Sequence, residues 1–460
     1  MPSKAIKSRS FTNHPSQHSW PGTPNVQDDK IYDKNFRLGT LTGLPVKAGL
    51  PSITLPGIGS IGMKESSPER FSTRFYARRR NRCAFLFFVF CSSGALWAQE
   101  QSVTTSRTVV KQAGDTVEVG ELGDAPYRID LPEKWNHKLV VMHHGYSVKR
   151  MQFNPNDPPR PTMSQFLQRG YAVIQSAYSE TGWALNSGFT DTEKLREYFE
   201  HTYGIASERY VTGASMGGAL TMETMERNPA PYMGALNLCG AVGSSIVHAG
   251  RRLAQRAAFD YYIPGLLPPL DNIPPDFAGT PELSSTLEKA LASDPGAASA
   301  MRNITTLPTN SEVVRMMIFY TVFLGDLEHK SGGLPVDNRN TVYGGTSENI
   351  DTDYALNDGV RRYTADAAAR QYLLKYYEPS GKVTKPVIAL HTGYDANVPV
   401  SQLTAYHQTI DRAGYGQNYV QQYVHRKGHC MMAPEQIGRA FDELVDWTHG
   451  GKPPASGLLP

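Results

Sequence analysis

Val211–Leu220 reads VTGASMGGAL, a serine set among glycines at the end of an apolar run. Most Gly-Ser clusters are loops, so the flanks decide the reading. Upstream, ERYVTGAS has the character of a buried strand; downstream, MGGALTMETMERNP reads as a helix that Pro229 ends. Gly213-Ala214-Ser215-Met216-Gly217 therefore fits G-x-S-x-G between a strand and a helix. In that setting the chain turns so tightly that the serine is strained and exposed, and Gly213 and Gly217 must be small because neighbouring backbone passes close by. The helix from Met216 aims its N-terminal dipole at the point where negative charge would develop beside Ser215. The alternative is a glycine-rich turn with a capping serine.

The surrounding text alternates strands and helices. Short β-like runs between Gln101 and Trp135 suggest a leading antiparallel hairpin, and HKLVVMHHG (137–145) reads as a buried strand. PTMSQFLQRG is a short helix closed by Gly170, and YAVIQSAYS (171–179) is the next strand. TDTEKLREYFEHTYG is a helix in which Thr190 and Glu193 form a capping-box pattern, Leu195, Tyr198, Phe199 and Thr202 share a face, and Gly204 marks the stop. YMGALNLCG follows the serine helix as another strand. Such alternation predicts an α/β fold, a mostly parallel sheet with helices on both faces. From Ala241 to Lys385 the pattern breaks into Pro-rich loops and helical stretches. Strand-like text resumes at KPVIALHTG and NYVQQYVH, and the last helix carries Ile437, Phe441, Leu444 and Val445.

A serine hydroxyl is a poor nucleophile at neutral pH and needs a base, which in turn needs an acid to fix its tautomer. In VIALHTGYDANVPV, Asp395 falls in a turn after a buried run; in RKGHCMM, His429 falls in a loop after Gly428. Eleven histidines lie downstream of residue 98, so position decides: His425 sits within a strand and His449 in the tail. A turn-forming Asx residue and a surface histidine are the competing readings of Asp395 and His429. The tetrahedral intermediate needs two donors, for which the candidates are the backbone N–H groups of Met216 and Tyr146, with Gly145 permitting close approach. His143 and His144 are candidates for the pocket or for strand-end packing.

In HHGY, GASMGG, HTGYDANVP and KGHC, taken in that order, the chain from about Val117 to Gly451 resembles the α/β-hydrolases. The resemblance implies an eight-stranded, mostly parallel sheet, Ser215 as nucleophile, Asp395 as acid, His429 as base, and the 241–385 insertion as a cap over the site. Residues 99–240 and 386–460 would then be the two parts of the core. His429-Cys430 is also similar to feruloyl esterases and tannases, in which a cysteine beside the histidine pairs with one beside the serine. Ala214 fills that second place here, which leaves Cys239 as a candidate partner for Cys430, or two separate buried thiols.

Composition narrows the remaining choices. The chain has 460 residues and a formal charge of +3, with much of the excess in RRRNR (78–82), which gives no electrostatic case for a nucleic-acid partner. The basic run precedes a fourteen-residue apolar core (Ala84–Trp97), too short to favour a stable membrane anchor and arranged like a secretory signal with cleavage after Ala98. Translation from Met63 makes 63–98 the leader and 1–62 an upstream extension poor in core-forming residues; a disordered tail on a cytosolic protein is the competing reading. Only Cys239 and Cys430 then remain, in a secreted or periplasmic protein. No metal-ligand spacing, phosphate loop or dinucleotide fingerprint is visible, so no cofactor and no metal are expected. A serine nucleophile favours acyl transfer, with a small-molecule or polymer-linked ester as the substrate. A peptidase of the prolyl-oligopeptidase-like type without its propeller and a non-catalytic binding module are the alternatives. Charge patterning identifies no ionic substrate.

Overall fold

The computed structural model describes residues 104–459; the expected upstream extension (1–62) and leader (63–98) lie outside the described residues. One sheet runs through them. Its strands are β1 (Thr104–Gln112), β2 (Asp115–Leu122), β3 (Ala125–Leu131), β4 (Lys138–His143), β5 (Ala172–Ser176), β6 (Glu208–Ala214), β7 (Gly234–Leu238), β8 (Val387–Tyr394), β9 (Tyr419–Lys427) and β10 (Gly457–Leu458). They lie in the order β1-β2-β3-β5-β4-β6-β7-β8-β9-β10. Pairing is antiparallel from β1 to β5 across the leading meander and parallel from there to β10.

The sheet has ten strands among the described residues, not the eight expected. The leading text folds as three strands rather than a two-stranded hairpin, because both Ala113-Gly114 (φ 49° and 99°) and Gly123 (φ 60°) supply left-handed turn residues. At the other edge, β10 is two residues long and pairs with Gln422 and Tyr423, too short to leave a periodic signal in the sequence.

Both faces of the sheet are covered, and alternation along the strands shows why. Leu139 and Val141 of β4, with Val387 and Ala389 of β8, enter one core; Val140, Met142, Ile388 and Leu390 enter the other. Each of these buried side chains other than Ala389 contributes roughly 2 kcal/mol of burial. The first core packs against α2 (Leu185–Tyr203) and α3 (Met216–Arg227), and the second against α1 (Pro161–Leu167) and α11 (Pro434–Thr448); α10 (Val400–Arg412) links β8 to β9.

Helix α2 starts earlier than expected. Thr190 and Glu193 do not form its cap: Ala184 is the N-cap, Thr190 Oγ1 bonds the Asn186 carbonyl, and Glu193 pairs with Arg196 and bonds Tyr232. The early turn survives a glycine at 188 because a Cβ there would sit 2.7 Å from Leu220 Cδ1, so its smallness serves helix packing. Thr202 is exposed, while Leu195 and Phe199 are buried as expected.

Between β7 and β8 the described elements are all helical: α4 (Ser245–Tyr262), α5 (Pro281–Ser293), α6 (Pro295–Thr305), α7 (Asn310–Ser331), α8 (Ile350–Gly359) and α9 (Ala367–Tyr376). Five of the six begin at a Thr, Asp or Asn whose side chain accepts a first-turn N–H: Thr280, Asp294, Thr309, Asn349 and Asp366. Leu253, Met301, Phe323 and Leu373 join the same core as α2 and α3, so the insertion is packed onto one face of the sheet. Among the described residues no helix is long and apolar enough to cross a membrane.

Candidate active site

Strand β6 ends at Ala214, α3 begins at Met216, and Ser215 makes the turn alone with φ 60° and ψ −122°. The bends on either side demand glycine. A Cβ on Gly213 would lie 2.2 Å from the Gly217 carbonyl oxygen, and one on Gly217 would lie 2.4 Å from that of His143. The serine backbone is pinned as well: its N–H donates to Leu238 O (3.1 Å), and its carbonyl accepts from Gly218 (2.9 Å) and Ala241 (2.9 Å).

The loops after β8 and β9 bring the other two side chains to this turn. His429 Nε2 stands 2.8 Å from Ser215 Oγ, and its Nδ1 stands 2.7 Å from Asp395 Oδ2. An ionised carboxylate can only accept, so Nδ1 carries the proton and Nε2 is left as the acceptor of the serine O–H. Asp395 Oδ1 accepts the N–H groups of Asn397 and Val398, each at 2.9 Å, which fixes the carboxylate plane. Burial raises the Asp395 pKa, but the hydrogen bond and charge of His429, the Val398 amide and nearby His391 outweigh it, so the carboxyl is held below its ordinary value. The two loops are also tied to each other, through Gly428 N–H to Tyr394 O (2.8 Å) and Thr392 Oγ1 to Gly428 O (2.8 Å).

The loop after β4 closes the other side. Gly145 approaches so closely that a Cβ would meet Ser215 Cβ at 3.3 Å and Oγ at 3.8 Å. Neither the Tyr146 nor the Met216 N–H donates to an acceptor among the described residues. His143 and His144 serve the loop rather than the reacting centre. His143 Nε2 bonds Thr224 Oγ1 (3.2 Å) and is fully buried, which pushes its pKa down to about 3. His144 stacks on Tyr178 at 3.9 Å, and the Tyr178 hydroxyl accepts the His144 N–H (2.8 Å).

One pairing that the sequence left open is decided here, and two further features had no place in the sequence reading. Cys239 and Cys430 form a disulfide across a sequence separation of 191, joining the end of β7 to the residue after His429. His391 Nε2, bonded to Val398 O at 2.9 Å, lies 3.7 Å from Asp395 Oδ2, the same oxygen that His429 reaches. Arg251 and Arg252 on α4 both reach Asn397. Local signals existed for the cysteine beside His429 and for His391, four residues before Asp395; the placement of the arginines depends on how the insertion folds.

These loops are partly open, and His429 keeps 26% of its side chain exposed. An open cleft of about 520 Å³ runs beside the acid and base loops, lined among others by Tyr394, Lys427, Arg302 and Leu307.

No protein-family model and no curated protein matches the chain. Among solved structures it is similar to the rice cell wall degrading esterase LipA from Xanthomonas oryzae, at 13% identity and a TM-score of 0.41 over 75% of this chain and 99% of that one. It is similar also to an esterase of Pyrococcus furiosus (12% identity, TM-score 0.38, 74% and 90% covered) and to an acylaminoacyl peptidase of Pyrococcus horikoshii (11%, 0.36, 75% and 41%). The chain has the α/β-hydrolase fold, as its own topology states: a mostly parallel sheet, a serine turn between strand and helix, and acid and histidine loops following in that order.

Proposed function

We propose that the protein is a secreted serine hydrolase that cleaves carboxylic esters. The observation that carries this reading is the linear array Ser215 Oγ, His429 Nε2, His429 Nδ1, Asp395 Oδ2, with steps of 2.8 Å and 2.7 Å across the imidazole. Ser215 attacks the ester carbonyl as His429 takes its proton, and the new oxyanion accepts the N–H groups of Tyr146 and Met216. His429 then protonates the departing alkoxide, leaving the acyl group on Ser215 Oγ. Water enters, gives a proton to His429 and its oxygen to the acyl carbon, and the acid leaves as Ser215 recovers its proton. Asp395 stays ionised throughout and stabilises the imidazolium.

The helical insertion acts as a cap in this reading, because Phe319 and Phe323 of α7 pack on the Tyr146 ring (centroids 5.8 Å and 5.7 Å) next to the oxyanion donors. The Cys239–Cys430 pair supports an oxidising compartment, where such bonds persist. The test is a fluorophosphonate probe followed by matched p-nitrophenyl esters and p-nitroanilides. Labelling that disappears in Ser215→Ala, with esters turned over faster than anilides, is expected. Faster anilide cleavage would make the protein a peptidase, and a folded chain that never labels would make it a binding module.

A further inference from the structure

Arg252 is buried, with 2% of its surface exposed, and among the described residues no carboxylate lies within ion-pair distance of it. Its partners are a carbonyl, His248 O at 3.2 Å, and an amide oxygen, Asn397 Oδ1 at 3.5 Å; its Nε has none. The neighbouring Arg251 also lacks a carboxylate. It donates to Gln255 Oε1 at 3.0 Å, Asn397 O at 3.2 Å and the Tyr320 hydroxyl at 3.2 Å, all of them uncharged, and its Nε is likewise buried without a partner. Two guanidinium groups thus converge on one residue of the acid loop with no negative charge between them. Elsewhere in the insertion the same kind of group is matched: buried Arg256, one turn further along α4, pairs with Asp260.

An uncompensated buried cation is costly, and truncated ion pairs show that the cost is carried by the charge left behind. Aromatic faces offset part of it: the Arg252 guanidinium lies 4.4 Å from the Phe323 ring and within 6 Å of Phe319 and Tyr320. They cannot accept the in-plane N–H groups, which is what the free Nε atoms display. Burial, with the charge of Arg251 second, pulls the Arg252 pKa down to about 9.

The pair is bounded by the catalytic loops. Asn397 donates its N–H to Asp395 Oδ1; Phe323 and Phe319 pack on Tyr146; and His248, whose carbonyl Arg252 bonds, holds Val242 O at 2.8 Å, one residue beyond the Ala241 that bonds the Ser215 carbonyl. We propose that Arg251 and Arg252 form a subsite for a carboxylate carried by the substrate, so that the enzyme favours esters bearing an acid group near the scissile bond over neutral esters of the same shape. The proposal rests on the serine-hydrolase reading. A planar carboxylate matches the guanidinium fork and would bridge the two cations.

The test compares kcat/KM for the mono-p-nitrophenyl ester of adipic acid and for 4-acetoxybenzoate with the same esters carrying a primary amide in place of the carboxylate. These place the anion on the acyl and alcohol sides respectively. One side is expected to favour the acid by roughly tenfold or more. In Arg252→Met that ratio falls to near unity, and Arg252→Lys restores part of it. Calorimetry with adipate and adipamide on wild-type protein reads the subsite without any turnover or variant, so a poorly folding Arg252→Met leaves the answer intact. Equal kcat/KM for acid and amide on both sides, with no preference for adipate in calorimetry, overturns the subsite while leaving the hydrolase reading standing. Absence of fluorophosphonate labelling and of all turnover overturns the hydrolase reading, and adipate binding then still decides the subsite.

Discussion

Removing the Cys239–Cys430 bond tests how the base is held. The bond closes a sequence separation of 191, for which the chain-entropy model gives about 5 kcal/mol of stabilisation, an upper figure since native disulfides commonly contribute about 2–4 kcal/mol. The folded state does not depend on it outright, because the Gly428 N–H and the Thr392 hydroxyl still tie the base loop to the acid loop. The double variant Cys239→Ala/Cys430→Ala should therefore fold and lose stability. It should also lose rate, because Cys430 is the residue that fixes the far side of His429, and a displacement of the imidazole by about 1 Å costs on the order of 100-fold. Guanidinium unfolding of wild type and variant, with and without reductant, reads the first effect; kcat on a p-nitrophenyl ester reads the second. Reductant should lower the wild-type midpoint to that of the variant and leave the variant unmoved. A variant equal to wild type in both midpoint and kcat would refute the reasoning.

Other expectations follow from the same geometry. Asp395→Asn removes the acceptor that selects the Nδ1–H tautomer and should lower kcat by about 10⁴; because the Asp395 pKa is depressed in the fold, its share of stability is full above about pH 4, disappears as pH falls through the lower native value, and should be missing in the variant's acid unfolding curve. Gly217→Ala forces a Cβ to within 2.4 Å of the His143 carbonyl oxygen, a clash of backbone on backbone that should cost about 3 kcal/mol or more in chemical denaturation. His143 has its pKa pushed from 6.5 to about 3 by burial, so the unfolded chain binds a proton that the native state refuses: stability is complete above pH 6.5 and falls towards pH 3. Glu223, raised to about 8 by burial, acts in the opposite sense, so the measurable quantity is the difference between wild type and His143→Gln, a slope shallower in the variant by about 1.4 kcal/mol per pH unit between those values.

The residues legible in the sequence are those whose role is dictated by their immediate neighbours. Gly213 and Gly217 announce a turn because a side chain at either would strike backbone within four residues or on the adjoining strand, and a strand before with a helix after is itself a local pattern. Asp395 and His429 were legible by order, each in a loop after a buried run. What stayed hidden depends on strand neighbours. The sequence offered Cys239 as one of two readings for Cys430, and the choice is made by β7, β8 and β9 being consecutive in the sheet, which no spacing encodes. His391 meets Asp395 from four residues earlier, in the strand that ends just before it, whereas the fold of the insertion places Arg251 and Arg252 on Asn397. The capping-box reading of Thr190 and Glu193 failed because α2 already begins at Leu185, with Gly188 inside it where Leu220 occupies the space a side chain would need.

The serine turn shows how the fold maintains an unfavourable backbone where chemistry requires one. A non-glycine residue at φ 60° with ψ −122° is strained by on the order of 1–3 kcal/mol and persists only if its surroundings over-determine it. Here they do so without the hydroxyl. The Ser215 N–H is fixed by Leu238 O at the end of β7, and its carbonyl is shared by the first turn of α3 and by Ala241 beyond that strand. Gly145 and the His143 carbonyl wall the turn from β4. Every one of these constraints is backbone from a strand neighbouring β6, from the loop just beyond such a strand, or from the helix that leaves β6. The strain is therefore a property of the sheet's crossover at β4, β6 and β7, and the side chain at 215 is free to be chosen for its reactivity alone.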